Sequence, residues 1–150
     1  MKRIAIVGAN GQVGTEVCLR LREVQGIEAV PVVRNPSGSA FLRLNGMTCR
    51  HGRIADTKEA RELIASEKPG RFNILISDLG LPDGSGHDLM RDLSRKQDHP
   101  IPGIALSGYG MKEDIRESME AGFARHLTKP VDWQELKGAI DRLAQANAHN

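Results

Sequence analysis

The stretch Asn73-Ile-Leu-Ile-Ser-Asp78-Leu-Gly-Leu-Pro-Asp-Gly-Ser-Gly86 is a short apolar run that ends in an aspartate and continues into a glycine-rich segment. Comparable apolar runs recur along the chain and alternate with longer amphipathic stretches, which is typical of repeated βα units around a parallel sheet. We predict strands at residues 3–7, 29–33, 47–51, 73–77, 103–106 and 124–127. We predict helices at residues 13–24, 39–44, 57–66, 86–96, 112–121 and 132–146.

The order of these segments predicts the α/β class. We expect a doubly wound, three-layer αβα sandwich around a mainly parallel six-stranded sheet of order 3-2-1-4-5-6. A length of 150 residues suits one compact domain. Within it we distinguish a first part, residues 1–55, from a second part, residues 56–150, with the seam between residues 52 and 71.

Charge and hydropathy narrow the classes of partner. The formal net charge of +2 comes from interspersed acidic and basic residues without a basic block, so we expect no nucleic-acid partner. The first apolar stretch is far too short for a signal peptide or a membrane span, which predicts a cytoplasmic protein with no membrane partner. Cys18 and Cys49 lack metal-type spacing and are expected to be reduced thiols. The oligomeric state stays open.

A glycine-spaced loop follows the first predicted strand and opens directly into a helix. Glycine allows a tight turn and a close approach of the backbone to a pyrophosphate, whose charge would meet free N–H groups at the helix N-terminus. Arg34, at the end of the second strand, suits the 2′-phosphate of NADP. The alternative is that the glycines only shape the first βα turn. The candidate cofactor-binding residues are Gly8, Asn10, Gly11, Gln12, Val13, Gly14 and Arg34.

Residues 2–51, with Ile-Ala-Ile-Val-Gly8-Ala-Asn-Gly-Gln-Val-Gly14 and Val-Val-Arg34-Asn-Pro, resemble the atypical and extended short-chain dehydrogenases/reductases. The resemblance implies an NAD(P)-binding Rossmann half, and we expect weak NADP(H) binding at most. The family's acidic adenine contact is replaced by Gly52-Arg53-Ile54. Its reductases also need a Tyr-x-x-x-Lys pair, but Tyr109 is followed by Lys112 at three positions, so we expect no reductase chemistry.

The second part resembles the receiver domain of response regulators, most like those attached to hybrid sensor kinases. The resemblance rests on the segment around Asp78, on Ala-Leu-Ser107-Gly-Tyr-Gly and on the segment that ends in Thr-Lys129-Pro130. It implies that Asp78 accepts a phosphoryl group, that Ser107 responds to it and that Lys129 pairs with it. It also implies a cis peptide bond before Pro130. His126 lies where the family often has a switching aromatic residue.

Receivers also carry a pair of acids just after the first strand, because magnesium needs several oxygen ligands. This chain has Gly8, Ala9 and Asn10 there, and Asp83 and Asp88 lie too far along the chain to replace the pair. We therefore expect no magnesium site and very weak or absent phosphotransfer.

These observations leave three functional hypotheses. The first is a chimeric or engineered α/β scaffold without turnover and with residual NADP(H) affinity, since two family signatures share one short chain. The second is a functional NADP-binding module. The third, from a signalling class, is a receiver phosphorylated on Asp78.

Overall fold

The computed structural model describes residues 2–8, 12–33, 39–51, 64, 72–81, 84–95, 101–108 and 112–148. These residues form an α/β fold, as predicted. The strands are β1 (Lys2–Val7), β2 (Ile27–Val33), β3 (Arg50–His51), β4 (Ile74–Asp78), β5 (Gly80–Leu81), β6 (Gly84–Ser85), β7 (Gly103–Ser107) and β8 (Arg125–Thr128). The helices are α1 (Gln12–Arg22), α2 (Ala40–Leu44), α3 (Gly86–Arg95), α4 (Lys112–Ala121) and α5 (Trp133–Ala148).

The main sheet is parallel and runs in the order β3-β2-β1-β4-β7-β8. The predicted order 3-2-1-4-5-6 assumes a full third strand, whereas β3 has only two residues and pairs with Val32 and Val33 at the edge. The body of the sheet is thus five strands, and their order by position along the chain is 2-1-3-4-5, the order of flavodoxin-like folds. β1 lies between β2 and β4, and Val7 is opposite Ser77.

The central strands are apolar because both of their faces are covered. Ile4 and Ile6 of β1 belong to the core cluster on one side of the sheet, and Ala5 and Val7 belong to the cluster on the other. This alternation follows from the two-residue repeat of a strand. Because both faces of these strands are buried, their sequences are continuous apolar runs without polar alternation.

Helix α5 begins and packs as its sequence predicts. Oδ1 of Asp132 accepts hydrogen bonds from the backbone N–H groups of Gln134 (2.8 Å) and Glu135 (3.1 Å), so Asp132 is the N-cap of the helix. Leu136 and Ile140, four residues apart on one face, are fully buried against the sheet.

Two features lie outside what the sequence predicted. A short antiparallel hairpin, β5 with β6, follows Asp78 and was not expected. The predicted helix at 57–66 falls outside the described residues except for Ile64, which is buried. Within the described ranges no helix is long and apolar enough to cross a membrane.

Candidate functional site

The carboxyl ends of β4, β7 and β8 bring Asp78, Ser107 and Lys129 together. Asp78 pairs in register with Leu106, and Ser107 pairs with Thr128, so the three residues lie at one end of the sheet. The Lys129 ammonium donates a hydrogen bond to Oδ2 of Asp78, and each side chain is 27% exposed. Ser107 is buried on the strand between them. The structure therefore brings together the three residues singled out by the receiver resemblance.

Lys129 is positioned by the backbone immediately after β8. Its N–H donates to the carbonyl oxygen of Ser107 at 2.7 Å, which extends the pairing of β8 with β7 by one residue. The peptide bond between Lys129 and Pro130 is cis, as the resemblance implied. The hydrogen bond to Ser107 thus holds the backbone of Lys129 at the end of the sheet that also carries Asp78.

Helix α3 approaches the strand that carries Asp78 closely enough to require glycine at its first position. A Cβ atom on Gly86 would lie 2.7 Å from the carbonyl oxygen of Asp78 and 3.1 Å from Oγ of Ser77. Ser77 is buried and its hydroxyl donates to that same carbonyl oxygen at 3.0 Å. The backbone of Asp78 is thus held by the helix start as well as by the sheet.

Among the described residues, no acidic side chain of the kind a magnesium site needs lies at the end of β1 beside Asp78. Val7, the last residue of β1, is opposite Ser77, so Gly8 and Asp78 are the residues that directly follow this pair along the two chains. No group of three or more acidic, histidine or cysteine side chains in the described part of the chain is arranged to hold a metal ion. Asp78 and Lys129 also balance each other in charge, so the described residues do not fit magnesium, which prefers several oxygen ligands and negative charge.

Four of the seven predicted cofactor-binding residues lie in the described part of the chain. Gly8 has φ of +80°, which suits the tight turn at the end of β1. Val13 is partly buried against the core, and Gly14 is buried within α1, so both serve packing. Gln12 is the first residue of α1. The other candidates, Asn10, Gly11 and Arg34, lie outside the described residues.

A second polar cluster, which the sequence pattern does not predict, joins α3, α4 and β8. Oγ of the buried Ser118 lies 3.3 Å from Nε2 of His87 and 2.8 Å from Nδ1 of His126. Its hydroxyl also lies 3.1 Å from the carbonyl oxygen of Asp114, which can accept its single proton. Burial, with a smaller contribution from the Arg91 guanidinium, lowers the pKa of His87. His126 thus faces a buried hydroxyl.

The two cysteines are free thiols, and neither is suited to nucleophilic chemistry. Burial raises the pKa of Cys18 to about 12, with a smaller contribution from Cys49. Burial also raises the pKa of Cys49. Because the thiolate is the reactive form, these groups stay protonated and unreactive at neutral pH.

Comparison with known protein families identifies the family that has this fold and these site residues. The family model described as "Response regulator receiver domain" matches residues 31–141, well over half of the chain. The chain belongs to the response-regulator receiver family. The matched range includes Asp78, Ser107 and Lys129.

Similar curated proteins support the same family. The response regulator protein PilR of Pseudomonas aeruginosa is 40% identical over 86 residues, which are 57% of this chain and 18% of PilR. An uncharacterized 14.6 kDa protein of Leptolyngbya boryana is 37% identical over 84 residues, which are 54% of this chain and 60% of that protein. The matches thus span less than two thirds of the length of both relatives.

Solved receiver structures share the fold over nearly the whole chain. The receiver domain of Francisella response regulator 1452 superposes with a TM-score of 0.70 at 22% identity, covering 98% of this chain and 99% of that one. A response regulator receiver protein from Pseudomonas putida gives 0.66 at 23% identity, covering 94% and 96%. The covered share of this chain is larger than the range of the family match, so the similarity of fold extends beyond residues 31–141.

These findings correct the leading hypothesis. A chimeric or engineered protein is the wrong interpretation, because one family model runs across the proposed seam at 52–71. The short-chain dehydrogenase resemblance, and with it NADP binding and a nucleotide partner, is also wrong. It misled because both folds begin with an apolar strand, a tight turn and a helix, and in this chain the turn begins with Gly8 at positive φ. The expectation of no nucleic-acid partner also does not extend to the longer relatives, one of which is called a transcriptional regulatory protein.

Proposed function

We propose that this chain is a signalling receiver with Asp78 as its phosphoryl acceptor and with strongly reduced phosphotransfer. The observation that carries the proposal is the pairing of Asp78 with Lys129 at the ends of β4 and β8, with a glycine, Gly8, directly after β1. Asp78 supplies the nucleophilic carboxylate, Lys129 supplies a cation beside it, and Gly8 adds no carboxylate at the end of β1.

The reduction in rate follows from the charge of the site. In phosphoryl transfer from acetyl phosphate, a carboxylate oxygen of Asp78 would form a bond to phosphorus while the bond from phosphorus to the acetate oxygen breaks. Negative charge is shared among the phosphoryl oxygens during this step and must be stabilised. Among the described residues, Lys129 is the cation that contacts the acceptor, and its charge is already balanced by the carboxylate of Asp78. We therefore expect phosphoryl transfer to Asp78 to be slow and the protein to remain mostly unphosphorylated.

The partners proposed for this receiver are proteins. Receivers are typically phosphorylated by histidine kinases and pass the signal to output domains or other proteins. The Escherichia coli relative KdpE, 37% identical over 76 residues, is called a transcriptional regulatory protein, and the match covers 32% of its length. An attached or separate output partner is thus proposed for this chain as well.

Intact-mass measurement of labelling by acetyl phosphate with magnesium tests this proposal. We expect the wild type to gain one phosphoryl group slowly and Asp78→Asn to gain none. Restoring the acids with Ala9→Asp, or with Gly8→Asp and Ala9→Asp together, should raise the rate by roughly 10²-fold. The single variant is included because Gly8 has φ of +80°, where an aspartate side chain adds strain.

Two results would contradict the proposal. Equal labelling of the wild type and Asp78→Asn would show that Asp78 is not the acceptor. Equal rates in the wild type and both acid-restored variants would show that the missing acids do not limit the reaction.

A further inference from the structure

A groove at the opposite end of the sheet from Asp78 is lined by three arginines. Arg3 lies at the start of β1, Arg22 at the end of α1 and Arg50 on β3, and Glu28 is the single acidic residue that lines the groove among those described. The volume of the groove is about 440 Å³, within the range of small-molecule sites. None of these residues takes part in the proposed phosphoryl-acceptor site.

The groove exists because β2 is only partly paired on its outer side. β3 pairs with Val32 and Val33, so the beginning of β2 lines the groove instead of continuing the sheet. The carbonyl oxygen of Gly26 faces β1, where it accepts a hydrogen bond from the N–H of Lys2 at 2.9 Å. Strand alternation therefore directs the N–H of Ala29 away from β1, toward this open edge.

Two of the arginines are held in place by one aromatic ring. The guanidinium carbon of Arg3 lies 4.6 Å from the ring centroid of Phe72, and that of Arg50 lies 5.7 Å from it. Phe72 itself is buried, so it forms a rigid support for both cations. A guanidinium that is already oriented loses less conformational entropy when it binds an anion.

The positive charge of the groove is only partly balanced. Arg3 pairs with Glu28 at 3.0 Å, and Arg22 pairs with Glu23 at 3.3 Å while it donates to the carbonyl oxygen of Asn45 at 2.5 Å. In the ranges that the structure describes, no acidic side chain pairs with Arg50. The groove therefore carries excess positive charge, which an anion would neutralise.

We propose that this groove binds a small anion with two linked phosphate groups. Arginine forks match phosphate oxygens in pairs of parallel hydrogen bonds, and cations from three separate elements can contact more than one phosphate. The open edge of β2 adds a backbone donor. A ligand held there would contact β1, β2, β3 and α1 at once and would stabilise the fold.

Isothermal titration calorimetry with inorganic pyrophosphate on the full chain tests this site. We expect Arg50→Gln and Arg22→Gln each to weaken binding about tenfold or more, since a hydrogen bond to a charged group contributes that much. The matched control is Arg116→Gln on α4, a helix that contacts β8 at the other edge of the sheet; it removes the same charge and should change the affinity less than twofold. Orthophosphate and citrate should bind at least about tenfold more weakly than pyrophosphate.

Three outcomes would overturn the proposal. The first is a wild type that does not bind pyrophosphate, and the second is equal affinity in all three variants. The third is citrate binding as tightly as pyrophosphate, which would show a response to charge without selection for phosphate. If Arg50→Gln does not fold because its contact with Phe72 is lost, Arg22→Gln at the exposed end of α1 decides the test.

Discussion

At position 86 glycine is required by the space available rather than by backbone conformation. A Cβ atom there would lie 2.7 Å from a backbone oxygen, which cannot move without displacing Asp78. We predict that Gly86→Ala lowers the free energy of unfolding by about 1–3 kcal/mol, as overpacking does. Gly108→Ala is the matched control, because nothing lies within 4 Å of its Cβ position and a change within about 0.5 kcal/mol is expected. Urea denaturation of both variants checks this, and equal losses of stability would contradict it.

His87 makes stability depend on pH in a direction that its environment sets. Burial lowers its pKa in the folded chain below the ordinary value of 6.5, so the unfolded chain takes up a proton first as the pH falls. Stability is therefore lost as the pH falls from 6.5 toward the lower folded-state pKa. His87→Gln removes this loss, so its stability deficit relative to the wild type should shrink between pH 7.5 and 5.5. Urea denaturation at both pH values checks this, and a constant or growing deficit would contradict it.

Helix α5 illustrates how one side chain defines the beginning of an element. Because Asp132 accepts two backbone N–H groups, we predict that Asp132→Ala lowers the free energy of unfolding by about 1 kcal/mol. Asp141→Ala, within the same helix, removes an exposed carboxylate 3.6 Å from Lys137 and should cost less than about 0.5 kcal/mol. Thermal and urea unfolding of the two variants measures the difference. A larger loss for Asp141→Ala would contradict the capping role.

Elements with long apolar patterns could be predicted from the sequence. Very short elements, and clusters whose residues are far apart in the sequence, could not. The β7 strand, buried along its whole length, lies within one residue of its predicted bounds. The β5–β6 hairpin was missed because two-residue strands are too short to show a repeat. The cluster of His87, Ser118 and His126 was missed because His87 is 31 residues from Ser118 in sequence.

The glycine turn after β1 shows why motif and function can separate. Gly8 has positive φ, which any tight strand-to-helix turn can require, so its glycine was equally compatible with a dinucleotide loop and with a receiver. Asp78, Ser107 and Lys129 were more specific, because parallel strands place residues at their carboxyl ends side by side. The structure brings these three together as the receiver resemblance implied.

For the whole molecule, the core joins segments from both ends of the chain. Ile4 of β1 and Leu136 of α5 belong to the same buried cluster, and β1 lies between β2 and β4 in the sheet. The residue that directly follows β1 is Gly8 instead of an acid. The first strand thus completes the core of the fold but adds no acidic residue to the site. Among the described residues, the site consists of the carboxylate of Asp78 and the paired ammonium of Lys129.

The most direct test of this account is the amide spectrum with and without beryllofluoride and magnesium. The variant with Gly8→Asp and Ala9→Asp should show shifts at the amides around Asp78, Ser107 and Lys129, because the acids restore the negative side of the site. The wild type should show little or no shift under the same conditions. Shifts of equal size in the wild type would contradict the account, since the missing acids would then make no difference.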